Sequence, residues 1–79
     1  MKTTLSRGYH VMPCVRGGED IVYSDGENIR LVCNTKPIIK NRDFSLIEED
    51  EREIWDEEAN VILRVTFFHC GIIQRVEIP

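Results

Sequence analysis

Residues 60–68 (NVILRVTFF) place apolar side chains on both alternating faces, interrupted only by Arg64 and Thr66. A run so rich in β-branched and aromatic residues fits a pleated sheet, and with neither face suited to water it predicts a central strand. Val61, Leu63, Val65 and Phe67 are then directed into the core. His69, Cys70 and Gly71 break the run, and residues 72–78 (IIQRVEI) alternate again, which predicts a hairpin partner. The chain has 79 residues, enough for one core and no more, so residues 1–79 are read as a single domain.

Upstream, residues 9–15 (YHVMPCV) alternate weakly, and Pro13, which has no N–H for a ladder, points to an edge strand or an irregular approach to the sheet. Residues 16–20 read as a turn. Residues 21–24 and 28–34 flank Asp25 and Gly26, a pair suited to positive φ in a tight turn, and so predict a second hairpin. Ile29, Leu31 and Cys33 are the more apolar face of its second strand and are expected to point inward, with Arg30, Val32 and Asn34 outward. Residues 37–40 are read as the start of a further short strand.

The charge is unevenly distributed. Between residues 48 and 58 eight acids (Glu48, Glu49, Asp50, Glu51, Glu53, Asp56, Glu57, Glu58) stand against Arg52, for −7. The other 68 residues carry nine Lys/Arg and six Asp/Glu, for +3, so a mildly basic body bears one acidic strip. Ser45 and Glu48 have the spacing of a capping box, and Leu46, Ile47, Ile54 and Trp55 fall near one side at a helical period. These features predict a helix over 46–58, although acids continuing to Glu58 oppose the macrodipole and leave an extended acidic loop as the competing form. The fold class is therefore mainly β (α+β): a small antiparallel sheet or half-open barrel of four to six strands with one short acidic helix.

Several kinds of chemistry find little support. No run approaches the roughly 20 apolar residues that cross a bilayer, and the first residues lack the apolar stretch of a secretory signal. Cys14, Cys33 and Cys70 are an odd set without a C-x-x-C pair, which argues against a disulfide framework and for a reducing, cytoplasmic location. A thiol nucleophile needs a neighbouring base, yet His69 and Cys70 are adjacent and would face opposite ways on a strand, and His10 and Cys14 lie about 13 Å apart at strand rise. The same residues, His10, Cys14, Cys33 and His69 or Cys70, are the right types for zinc but have no knuckle spacing; whether they bind it stays open. The i,i+4 pairs Glu49/Glu53 and Glu53/Glu57 are unspecific in so acidic a segment, and no phosphate loop or hydrolase motif occurs. Direct nucleic-acid binding is disfavoured by a net charge of −4 and scattered Lys/Arg.

What remains is the acidic strip as a partner-binding surface. Glu48, Glu49, Asp50, Glu51, Glu53, Asp56, Glu57 and Glu58 would steer toward a basic groove or patch on a larger protein, including one that normally holds nucleic acid, and Trp55 in their midst would either anchor the contact or form the core-facing side of the helix, with the acids as its solvated face. The expectation is a non-enzymatic, cytoplasmic interaction protein of inhibitor, immunity or adaptor type, without a cofactor. The alternative is an assembly component that self-associates through its β-sheet as a homo-oligomer.

Overall fold

Val61–Phe68 does form the middle of a sheet. The computed structural model describes residues 2–40, 49–68 and 70–79. In chain order they form strands β1 (Gly8–Pro13), β2 (Glu19–Ser24) and β3 (Ile29–Asn34), helix α1 (Lys36–Lys40), and strands β4 (Glu49–Asp56), β5 (Val61–Phe68) and β6 (Ile73–Glu77). The strands build two three-stranded antiparallel sheets, β1-β2-β3 and β4-β5-β6, so the mainly-β class holds and β5 is central as expected.

The core lies between the sheets. Leu63, Val65 and Phe67 of β5 and Ile73 of β6 pack with Ile21 of β2. Tyr9, Val32, Ile38, Ile39, Ile54, Val61 and Val76 close around them. The inward face of β5 is the one the sequence predicts, with Leu63, Val65 and Phe67 fully buried and Ile62 and Phe68 exposed. A polar stitch supplements the apolar contact: the backbone N–H of Ile73 donates to the Glu19 carboxylate across the two sheets at 2.7 Å.

The hairpin about Asp25 and Gly26 is present. Asp25 Oδ1 accepts from the backbone N–H of Asn28 (2.8 Å) and Glu27 (2.9 Å), and Gly26 sits at φ +100°, where a side chain would be strained. Those two N–H donors, Asn28 first, also hold the Asp25 carboxyl below its ordinary pKa. Edge position and Pro13 at the strand end agree for β1.

Three expectations are corrected. The acidic segment is not a helix: from Glu49 to Asp56 it is a strand paired without interruption to β5, from Glu49 opposite Phe68 to Asp56 opposite Val61. The short helix lies instead at Lys36–Lys40 and has no acid in its first turn. It starts where a further strand was expected, because Asn34 Oδ1 accepts the Lys36 N–H (3.0 Å) and Thr35 O accepts the Ile39 N–H (3.0 Å), turning Ile38 and Ile39 onto the core. The proposed cap at Ser45 and Glu48 lies outside the described residues. Finally, the face of β3 is reversed over Ile29–Val32 only, while Cys33 keeps the expected inner side opposite Ile21. Leu31 is 60% exposed while Val32 joins the core, since the register shifts between Ile21 and Val22, so that Val22 faces Leu31 and Ile21 faces Cys33. Arg30 also lies on the inner side, opposite Tyr23. Among the described residues no helix is long and apolar enough to cross a membrane.

Candidate functional site

Pleating divides the acidic segment between two environments, because successive strand residues point to opposite faces. Asp50, Arg52, Ile54 and Asp56 share the inward side with Phe67, Val65, Leu63 and Val61, to which they are respectively paired, while Glu51, Glu53 and Trp55 share the outward side with Thr66, Arg64 and Ile62. The inward set lies against the core or at its margin. Asp50 pairs with Arg52 at 3.2 Å at the margin of the core, and Ile54 packs onto it.

Asp56 is only 2% exposed, the reverse of the surface position expected for it. Arg30 meets it with two parallel N–H donors, Nη1 to Oδ1 at 2.7 Å and Nη2 to Oδ2 at 2.8 Å, and the Tyr9 hydroxyl donates to Oδ2 at 2.5 Å. The Arg30 guanidinium also lies 4.9 Å from the Tyr23 ring centroid, and the Tyr9 and Tyr23 rings are 5.0 Å apart and tilted by 60°. The bidentate Arg30 bond holds the Asp56 carboxyl down at about 2, and Asp56 in return keeps Arg30 more firmly protonated. Burial first, and the bond to an ionised Asp56 second, push the Tyr9 hydroxyl up to about 12. A buried carboxylate needs such company, and this one ties β4 to both β1 and β3. Its partners lie 47 and 26 residues away in the chain, so no local signal in the sequence marks them.

On the outward side Glu51, Glu53 and Trp55 are exposed, whereas Thr66 opposite Glu51 is buried. Trp55 is 59% exposed and sits opposite Ile62, itself 49% exposed, which makes a small apolar patch at the end of β4. Glu51 and Glu53 continue the same face, and Glu57 and Glu58 lie exposed in the following turn. Two of these acids are partly neutralised: Arg64 Nε meets Glu51 at 3.2 Å, and Arg30 Nε meets Glu58 at 3.0 Å. Glu53 and Glu57 have no ion pair among the described residues. Further along the sheet Glu77 lies near Arg64 (3.9 Å) and Arg75 (3.4 Å), so the outer face passes from a mixed ionic lattice to an acidic edge. Glu48 lies outside the described residues, and Glu49 opens the strand.

Among the described residues other candidate chemistry does not assemble. His10 Nε2 is 2.7 Å from the Ser6 carbonyl oxygen rather than from a thiol, and burial pushes the Cys33 thiol up, away from the thiolate. Cys14, Cys33 and Cys70 are all free. Among the described residues no group of three or more His, Cys, Asp or Glu is placed to hold a metal ion; His69 lies outside them. A shallow groove of about 290 Å³ crosses the outer face of the first sheet, lined by Met12, Pro13, Asp20, Val22, Ile29 and Leu31. Comparison with known proteins finds no matching family model, no matching curated protein and no matching solved structure.

Proposed function

We propose that the protein is a small non-enzymatic interaction module, of inhibitor, immunity or adaptor type, that binds a basic surface of a larger protein. The binding face is Glu51, Glu53 and Trp55 of β4 with Glu57, Glu58 and Ile62, a reduced form of the whole acidic segment. The observation that carries this reading is the exposure of Trp55 beside Ile62 on the same strand face as Glu51 and Glu53. A large aromatic surrounded by charge supplies anchor area, while the unbalanced carboxylates supply steering. Asp50 and Asp56 are left out because their carboxylates already serve the fold. Three free thiols favour a reducing compartment, and we place the protein in the cytoplasm on that ground.

The test is affinity capture from cell lysate with wild type and with Glu51→Gln/Glu53→Gln/Glu57→Gln, each eluted by a salt step. The reading expects a partner that wild type releases with salt and the triple variant fails to retain, and Trp55→Ala to dissociate faster without losing its fold. Identical captured proteins with identical salt release from wild type and triple variant would refute it.

The second reading, self-association through a sheet, is favoured by the groove beside Met12 and Leu31 on the opposite side of the molecule. It predicts a concentration-dependent dimer that Leu31→Asp abolishes. Sizing chromatography that shows a monomer at every concentration would dismiss it.

A further inference from the structure

Each of the four edge strands presents a row of backbone groups, and they are not equally open to another strand. β1 has six residues and ends on Pro13. β3 lies beside the register shift at Ile21 and Val22, and β6 has five residues beside a second shift at Thr66 and Phe67. Bulges, prolines and short length are the usual ways of discouraging edge pairing. β4 has none of them: its eight residues run opposite β5 in continuous register, and among the described residues no strand lies on its far side.

We infer that the β4 edge takes up an extended, cationic segment of a partner protein as a fourth strand, with arginine or lysine at alternate positions over Glu51, Glu53 and Trp55. This rests on the reading of that face as the binding surface and specifies how it is used. A strand added to β4 sits about 4.8 Å away, and its residues i, i+2 and i+4 fall beside successive outward residues of β4. Two cations there meet Glu51 and Glu53, and a third, best as an arginine, lies over the exposed indole of Trp55. The residues between them face Asp50, Arg52, Ile54 and Asp56, three of which are charged, so small polar side chains suit those positions. The same charges reject other occupants. An apolar strand would lay its side chains beside charges that point inward, and a second copy of β4 would set Glu51 and Glu53 against their own equivalents.

The probe is a nine-residue peptide with arginine at every second position and threonine or serine between, titrated into the intact protein with Trp55 fluorescence as readout. Trp55 is the sole tryptophan, so the signal is local. Two analogues carry N-methyl groups on alternate amides, one set on each edge of the peptide, and a third has the same composition with its arginines contiguous. The inference expects one methylated analogue to lose about tenfold or more in affinity, since four backbone donors are removed, and the other to bind like the parent. Binding should slow amide hydrogen exchange in β4 and weaken in Glu51→Gln/Glu53→Gln. Equal binding of both methylated analogues, equal loss in both, or equal binding of the contiguous peptide would overturn strand addition while leaving an acidic docking face in place. Affinity of every peptide unchanged in Glu51→Gln/Glu53→Gln would overturn both.

Discussion

Asp56 shows how a residue counted as surface charge can belong to the interior. Its carboxylate is fully committed to Arg30 and Tyr9, and removing it strips both of their buried acceptor and leaves Arg30 only the exposed Glu58 as an ion-pair partner among the described residues. Asp56→Asn should therefore destabilise by about 3–5 kcal/mol, measured by denaturant unfolding, whereas Trp55→Ala should cost under about 1 kcal/mol because the indole is mostly in water. Equal losses would contradict the division of β4 into an inner and an outer face. The same cluster sets two limits in pH. Asp56 is ionised more readily in the folded chain than in the unfolded one, so its contribution is present above about pH 4 and is lost as pH falls toward 2. Tyr9 holds its proton more tightly when folded, so its contribution is complete below about pH 10 and is lost as pH rises through 12. Unfolding followed from pH 9 to 12 should show stability falling in wild type and a flatter profile in Tyr9→Phe.

At the scale of elements, what the sequence discloses is what is local. The hairpin about Asp25 and Gly26, the break at Cys70 and Gly71, and the inner face of β5 follow from turn chemistry and a two-residue period, neither of which needs a distant partner. The acidic strand resists the same treatment. Glu and Asp are poor strand formers, and Ile54 with Trp55 fits a helical stripe, but pairing with β5 packs a partly buried Ile54 against the core and leaves Trp55 outside. The face of β3 is misjudged for a related reason: an arginine on the inner side makes sense only once Asp56 is known to wait there. A third element depends on a close approach. Gly18 lies at φ +70°, and a Cβ there would come within 2.7 Å of the Lys36 backbone nitrogen at the start of α1. Gly18→Ala should cost more than the roughly 1 kcal/mol of the backbone conformation alone, since neither backbone can give way freely, and thermal unfolding would measure it. An unchanged Tm would mean that the turn and the helix are not pressed together.

Taken as a whole, the molecule is two thin sheets that share one apolar layer, and Leu63 sits in the middle of it with no exposure. Leu63→Ala should lose about 2–5 kcal/mol, a large part of what so small a core supplies, and the two sheets should melt together in a single transition reported equally by Trp55 fluorescence and far-UV circular dichroism. Separate transitions would show the sheets to be independently stable. The acidic segment that carries the proposed binding face is visible as charge density alone, but which of its carboxylates are ion-paired is not, because that depends on where Arg30, Arg52 and Arg64 fall in three dimensions.

The unbroken pairing of β4 with β5 also bears on how the chain tolerates changes in length. Adding or deleting one residue between Asp50 and Asp56 would rotate every position beyond it to the opposite side, bringing Trp55 and Glu53 toward Leu63 and carrying Asp56 away from Arg30. The side chains of this segment can be exchanged at its outward positions with little consequence for folding, but its spacing cannot. An indel is thus a heavier lesion in β4 than the loss of any of its exposed acids, and the turn at residues 57–60, which carries no such alternation, is where extra length can be absorbed.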